Sequence, residues 1–293
     1  MIPPAYAPLV AAARPKRQLW RTLLGLGLVA TVYFGWMIGL AVLAARAQGE
    51  SVGDLLYRIS TGADPMAVIL LLGGFLGVWV GLWIALHLLH RRGLRSLMGR
   101  APVVLRDFVT GAVILALVGG GLTLALLPML PALQLRPDPG AWLAFLPLAL
   151  LGVLVQTGAE ELLFRGYLQS QLAARFGRPL VYLTLPALLF GLAHYNAGEL
   201  GGDAWIVVAS TALFGLVAGD LTRRTGSLGF AWGLHFANNV LAMLVLSLMG
   251  GLGGMALLHA AELPEALTRP LLVSDMLVTL AVWAACRIWL RRR

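Results

Sequence analysis

Charge is scarce in this chain: only 12% of its 293 residues are Asp, Glu, Lys or Arg. Soluble domains carry about a quarter, so an ordinary soluble fold is excluded. Cysteine is almost absent. Cys286 stands alone, which excludes an internal disulfide and any cysteine-built zinc centre, and its place in an apolar run predicts a packed or lipid-facing thiol. Lysine is nearly missing as well: Lys16 is the only one among 22 basic residues, a bias that points to a bacterial source. The net charge of +9 has no clustered Lys/Arg with interleaved aromatics behind it, so it does not mark a nucleic-acid face. No internal repeat, low-complexity tract or pair of broken helices is visible, which argues against a secondary transporter.

Apolar length fills the place of charge. The chain is 59% hydrophobic with a mean hydropathy of +0.85, and several runs reach the ~20 residues that cross a bilayer as helix. The fold expected is all-α, a polytopic membrane bundle of about eight transmembrane helices. They fall at about 22–45, 66–89, 107–130, 142–170, 180–197, 204–221, 228–249 and 271–289. The first run ends in Ala45-Arg46-Ala47, which is similar to a signal-peptidase site, but it is longer than a signal core and more spans follow, so an uncleaved helix is expected. Gly35/Gly39, Gly73/Gly77/Gly81 and Gly215/Gly219 have the spacing that lets helix backbones approach, and Gly119 to Gly121 mark an expected bend.

The basic residues set the orientation. With a cytoplasmic N-terminus, the inner segments hold Arg14, Lys16, Arg17, Arg21, Arg91, Arg92, Arg95, Arg100, Arg106, Arg175, Arg178, Arg223, Arg224, Arg287, Arg291, Arg292 and Arg293. The outer segments hold only Arg46, Arg58, Arg136 and Arg269. Both termini are therefore expected in the cytoplasm of a plasma (inner) membrane protein, where anionic lipid meets the basic ends.

Ionisable residues inside apolar spans are costly and by default imply function. The fourth run ends in Glu160-Glu161-Leu-Leu-Phe-Arg165. Helical neighbours point ~100° apart, so the two carboxylates are not expected to face one partner. Glu161 and Arg165 stand at i,i+4 with the acid first, the favourable order for an ion pair. That pairing would leave Glu160 free to act. His194 follows Phe190 at i,i+4, and His235 precedes Asn239 at i,i+4 on one helical face. Glu160 and His194 each lie 17 residues from Gly177, the centre of the turn between spans four and five, so an antiparallel hairpin brings them to one level. Elsewhere bland roles are expected: His87 and His90 at the headgroup interface, Asp220 paired with Arg223 and Arg224, and Asp275 as a helix cap.

Glu160-Glu161-x-x-x-Arg165, Phe190-x-x-x-His194 and His235-x-x-x-Asn239, in that order within apolar helices, resemble the CAAX protease and bacteriocin-processing enzyme family. Its best-known members are the type II CAAX prenyl endopeptidases. The resemblance covers roughly residues 140–250. It divides the chain into three N-terminal spans (1–140), an intramembrane protease core (141–250), and a loop with the last span (251–293). It implies an endopeptidase acting on a membrane-embedded or lipid-anchored protein or peptide. Glu160 with His194 would activate water, His235 with Asn239 would stabilise the oxyanion, and Glu161 with Arg165 would hold the helix. A divalent metal such as Zn2+ would find its ligands in Glu160, His194 and His235. The His-Glu-x-x-His spacing of many zinc proteases is absent, so metal dependence stays open and no cofactor is required by the sequence. An idle scaffold or immunity protein, or a proton-coupled transporter, are the competing classes.

The orientation has a direct test. Reporter fusions at Gln48 and at the C-terminus are expected on opposite sides of the membrane; finding both on one side would contradict the eight-span topology.

Overall fold

The computed structural model describes residues 2–62, 64–129, 133–136, 138–248, 252–260 and 265–292. Chain ends of the third and seventh expected spans, at 130 and 249, and Arg293 lie outside these residues. The described chain is almost wholly helical, as apolar runs must be when no water is present to satisfy the backbone. A short α1 (Ala7–Ala13) precedes α2 (Leu19–Gln48), α3 (Val52–Thr61), α4 (Pro65–Gly74) and α5 (Leu76–Ala85). Then follow α6 (Arg95–Met98), α7 (Ala101–Leu126), α8 (Pro139–Glu161), α9 (Gln169–Phe176) and α10 (Pro179–Leu192). The chain ends with α11 (Ala197–Leu200), α12 (Ala204–Thr225), α13 (Gly229–Val240) and α14 (Glu265–Arg291). Wider π-helical turns at Leu86–His90, Leu162–Leu168 and Leu241–Val245 continue α5, join α8 to α9 and extend α13.

Six of these helical stretches are long and apolar enough to cross a membrane: Leu19–Gln48, Pro65–His90, Ala101–Ala125, Trp142–Phe176, Gly201–Thr225 and Ala266–Arg291. Two apolar helices are shorter, Pro179–Leu192 and Gly229–Val245. The protein is an integral membrane protein. All eight apolar segments fall where hydropathy places them, but the two short ones differ from the expected full spans. Pro179–Leu192 has 14 residues, ~21 Å at 1.5 Å per residue, against a hydrocarbon core of ~30 Å. These short helices are the ones that lead to His194 and carry His235.

One departure from the all-α expectation is a small sheet in the order β1-β3-β2, made of β1 (Leu133–Leu135), β2 (Leu246–Ser247) and β3 (Leu258–Ala260). It joins the loop ends of α7–α8 and α13–α14, and the Arg136 side chain fastens it by donating to the Ala256 and Gly254 carbonyls.

Close helix contacts depend on small residues, though not always those the spacing indicated. An added Cβ at Gly229 or Gly233 would run into the Val104 or Phe108 carbonyl oxygen, so only glycine lets α13 lie this close to α7. Gly77 and Gly215 also sit at contacts, where a Cβ would fall 2.7 Å from Trp36 Cβ and 2.9 Å from Ala187 Cα. Gly35 and Gly39 do not; nothing lies within 4 Å, because their face of α2 turns out of the bundle. Helix α7 also runs unbroken through Gly119 to Gly121, where a bend was expected.

The N-terminal segment, unremarked in the sequence, folds under the bundle. Tyr6, Leu9, Val10 and Ala13 pack against Leu168, Leu172, Ala173 and Tyr182. Gln169 and Gln171 are buried beneath it, each 1% exposed. His90 is likewise not at a headgroup surface. It is buried, with Nε2 2.8 Å from the Tyr167 hydroxyl and Nδ1 3.1 Å from the Lys16 carbonyl. The Gln171 amide nitrogen lies 2.8 Å from His90 Nδ1, and the Gln169 amide donates to the Gly219 carbonyl at 3.1 Å. Asp220 pairs with Arg223 and Arg224 at 2.8 and 2.7 Å, as its neighbours indicated. Asp275 is no cap: it lies within α14 and accepts from Ser210 at 2.5 Å, linking α14 to α12. Cys286 is buried in the α7–α12–α13–α14 core.

Candidate active site

The site begins where the apolar run of α8 gives way to polar residues. Gln156 and Glu160 are one turn apart, and the Gln156 amide donates to Glu160 Oε1 at 2.8 Å. Glu161 is fully buried, and its Oε1 accepts from His235 Nδ1 at 2.9 Å. The same oxygen lies 3.1 Å from Arg165 Nη1. With Nδ1–H committed to Glu161, the other ring nitrogen, Nε2, is turned toward Glu160 and stands 3.5 Å from Oε2. The two adjacent carboxylates therefore do face one partner. The ~100° between them is spanned because an imidazole offers nitrogens on two edges.

Below Glu161 the helix widens into the π turn Leu162–Leu168, a distortion that recurs at functional sites. Arg165 is 1% exposed, and its guanidinium lies 4.2 Å from the Phe190 ring centroid, with Phe214 at 5.7 Å and Phe164 at 5.9 Å. These rings stabilise a desolvated cation by roughly 2 kcal/mol where the geometry is favourable. The His235 ring meets Phe214 and Phe190 edge-on at 5.3 and 5.8 Å. Phe164 and Phe190, equally spaced from the turn glycine Gly177, touch across the hairpin at 5.0 Å.

His194 lies just past α10 and is exposed. Its Nδ1–H donates to the Phe190 carbonyl at 2.8 Å, and its ring packs on Phe190 at 4.8 Å. Among the described residues it makes no hydrogen bond or ion pair with Glu160, Glu161 or His235. Phe190 stands between the two histidines. Asn239 shares the α8-facing side of α13 with His235; its Nδ2 donates to Gln156 Oε1 at 2.8 Å. Its Oδ1 accepts from Asn238 at 3.4 Å.

The sequence drew attention to Glu160, Glu161, Arg165, His194, His235 and Asn239 but passed over Gln156. Gln156 is the side chain that ties Glu160 to Asn239. The available signal was a polar residue one helical turn before Glu160 in a run otherwise apolar.

A catalytic zinc takes three protein ligands and a water. Among the described residues no three His, Cys, Asp or Glu side chains gather as a metal-holding group. Glu160 Oε2 and His235 Nε2 approach each other, and His194 is not with them. In this arrangement the donor set falls a ligand short of a catalytic zinc site. A carboxylate oriented at one oxygen, set beside an imidazole in a largely water-excluded bundle, is suited to general acid–base work.

A membrane-embedded helix bundle with an acid–base cluster of carboxylates and histidine defines the class of the site. Residues 141–241 match the family described as type II CAAX prenyl endopeptidase Rce1-like, and this segment is a domain of that family. It contains every residue of the cluster. The chain is also 36% identical over 99 residues to a Bacillus subtilis (strain 168) protein named "Uncharacterized protein YyaK". That match covers 34% of this chain and 32% of the relative, so the chain spans about a third of the length of the curated relative it matches. No solved structure matches.

The geometry divides the work of the two glutamates. Glu161→Gln removes one partner of a buried ion pair, a loss of ~3–5 kcal/mol, and is expected to lower purified yield and thermal stability in detergent. Glu160→Gln keeps its bond to Gln156 and is expected to stay near wild type. Equal losses would overturn the division.

Proposed function

We propose that this protein is an intramembrane endopeptidase that hydrolyses a peptide bond in a membrane-embedded or lipid-anchored protein or peptide. The observation that carries the reading is Glu160 Oε2. It has no hydrogen-bond partner among the described residues, is aimed by Gln156 through the other oxygen, and faces the Nε2 edge of a histidine fixed by Glu161. Membership of residues 141–241 in the type II CAAX prenyl endopeptidase family supports peptide hydrolysis as the reaction.

In this reading Glu160 Oε2 takes a proton from water while the water oxygen bonds to the scissile carbonyl carbon. Charge that develops on the carbonyl oxygen is met by Asn239, whose amide has a second N–H beyond the one given to Gln156, and by the Nε2–H that His235 presents when its ring carries both protons. The proton held by Glu160 passes to the amide nitrogen as the C–N bond breaks. His194, with Nδ1–H held on the Phe190 carbonyl, keeps Nε2 as an acceptor at the open side of the site, where it would orient the water. Glu161 and Arg165 position the helix and the His235 ring. The short helices on the way to His194 and through His235 leave part of the membrane thickness to irregular backbone, which is tolerated where it lines a wet cavity. The bundle crosses a bacterial inner membrane eight times with its basic end and both termini in the cytoplasm.

The test is proteolysis by purified protein in liposomes carrying a library of membrane-anchored peptides. Glu160→Ala is expected to lose about 10²–10⁴ in rate and Asn239→Ala about 10²–10³. A zinc chelator is expected to leave activity in place. Full activity in the Glu160→Ala protein would overturn the proposal, and chelator-abolished activity restored by zinc would overturn its metal-free form.

A further inference from the structure

At the basic end of the bundle, away from the catalytic cluster, lies an open cleft of about 420 Å³. Arg95, Ser96 and Arg100 line one wall, Thr225 another, and Pro8 and Leu9 of the N-terminal helix the third. Its floor is preformed by backbone. Gly99 (φ 94°) and Gly226 (φ 64°) adopt left-handed conformations, and an added Cβ at either would strike the Gly226 or Ala5 carbonyl oxygen. No acidic side chain lines the cleft. The hydroxyl hydrogens are already given away, Ser96 to the Gly93 carbonyl at 2.6 Å and Thr225 to the Leu221 carbonyl at 2.9 Å. The side chains of Arg95 and Arg100 form no hydrogen bond or ion pair among the described residues, so their guanidinium donors are the ones available to a ligand.

The cleft sits where the chain leaves one apolar helix at His90 and enters the next at Ala101, at the membrane boundary. Helix α7, whose start at Arg100 and Val103 borders the cleft, carries an exposed apolar stripe at i,i+4 spacing: Leu105, Val109, Val113 and Leu117 are 67%, 52%, 49% and 71% exposed. A paired cationic mouth at the start of α7 and an exposed hydrocarbon track along that helix match a molecule with an anionic head and apolar tails. Guanidinium groups favour phosphate because their planar donors meet two oxygens at once.

We infer that this cleft binds the phosphate headgroup of one anionic phospholipid, with its acyl chains lying along the α7 stripe. Such a lipid clamps the N-terminal helix to the Arg95–Arg100 segment. That helix in turn packs on α9, the continuation of the helix that bears Glu160 and Glu161, so the bound lipid steadies the site from below. The inference stands whatever reaction the site performs.

Native mass spectrometry and thermal unfolding of the full chain test it, with phosphatidylglycerol compared against phosphatidylcholine and against inorganic phosphate. The wild type is expected to retain one phosphatidylglycerol at least about tenfold more tightly than phosphatidylcholine, and to melt higher with it. Inorganic phosphate alone is expected to produce no shift. R95A/R100A is expected to lose the preference, while R291A/R292A, basic but outside the cleft, keeps it. Absence of the preference in the wild type, its survival in R95A/R100A, its equal loss in R291A/R292A, or equal protection by inorganic phosphate would each overturn the assignment.

Discussion

The buried contact of Glu161 with Arg165 and His235 is the interaction on which the rest of the site depends. A carboxylate with no exposed surface, in a membrane bundle, is tolerable only when paired and hydrogen-bonded. Arg165 supplies the opposing charge and His235 the hydrogen bond, and the three come from α8, the π turn that follows it, and α13. Once Nδ1 of His235 is held, the position of Nε2 is no longer free. It must face the neighbouring carboxylate, Glu160. The aromatic rings around Arg165 serve the same end, because Phe190 and Phe214 touch both the guanidinium and the imidazole and keep water from competing for either. Glu160 is then the less constrained member of the pair, with one oxygen aimed by Gln156 and the other facing the histidine.

Much of this was legible in the sequence for plain physical reasons. Hydropathy reads transmembrane helices well because lipid leaves the backbone no alternative, and the eight apolar segments fall accordingly. The Glu161–Arg165 pair follows from helical spacing and survives the π turn. What escaped depends on three-dimensional company rather than on periodicity. The imidazole that bridges Glu160 and Glu161 comes from 74 residues away, so no helical wheel could place it. Gln156 looked like one polar residue in an apolar run until Asn239 arrived opposite. His90 read as a headgroup residue because nothing in its own segment reveals the N-terminal chain that covers it.

Two short helices and one long one give the bundle its functional shape. The Trp142–Phe176 stretch overshoots the membrane and is covered at its far end by residues near the N-terminus. The apolar helices before His194 and through His235 are shorter than the other six, and His194 lies exposed beside a cluster that is otherwise buried. The proposed chemistry fits that asymmetry: the charged partners are locked in the interior, while one imidazole remains at the open side to meet water and substrate.

The central claim is that Glu161 fixes the His235 ring so that Nε2 faces Glu160. Nitrogen NMR of histidine-labelled protein in bilayers, with the His235 signals assigned by substitution, measures this most directly. The account predicts a protonated Nδ1 strongly hydrogen-bonded to a carboxylate, a signal that persists in the Glu160→Gln protein. A bare Nδ1 in the wild type, or loss of the Nδ1 hydrogen bond on Glu160→Gln, would contradict it.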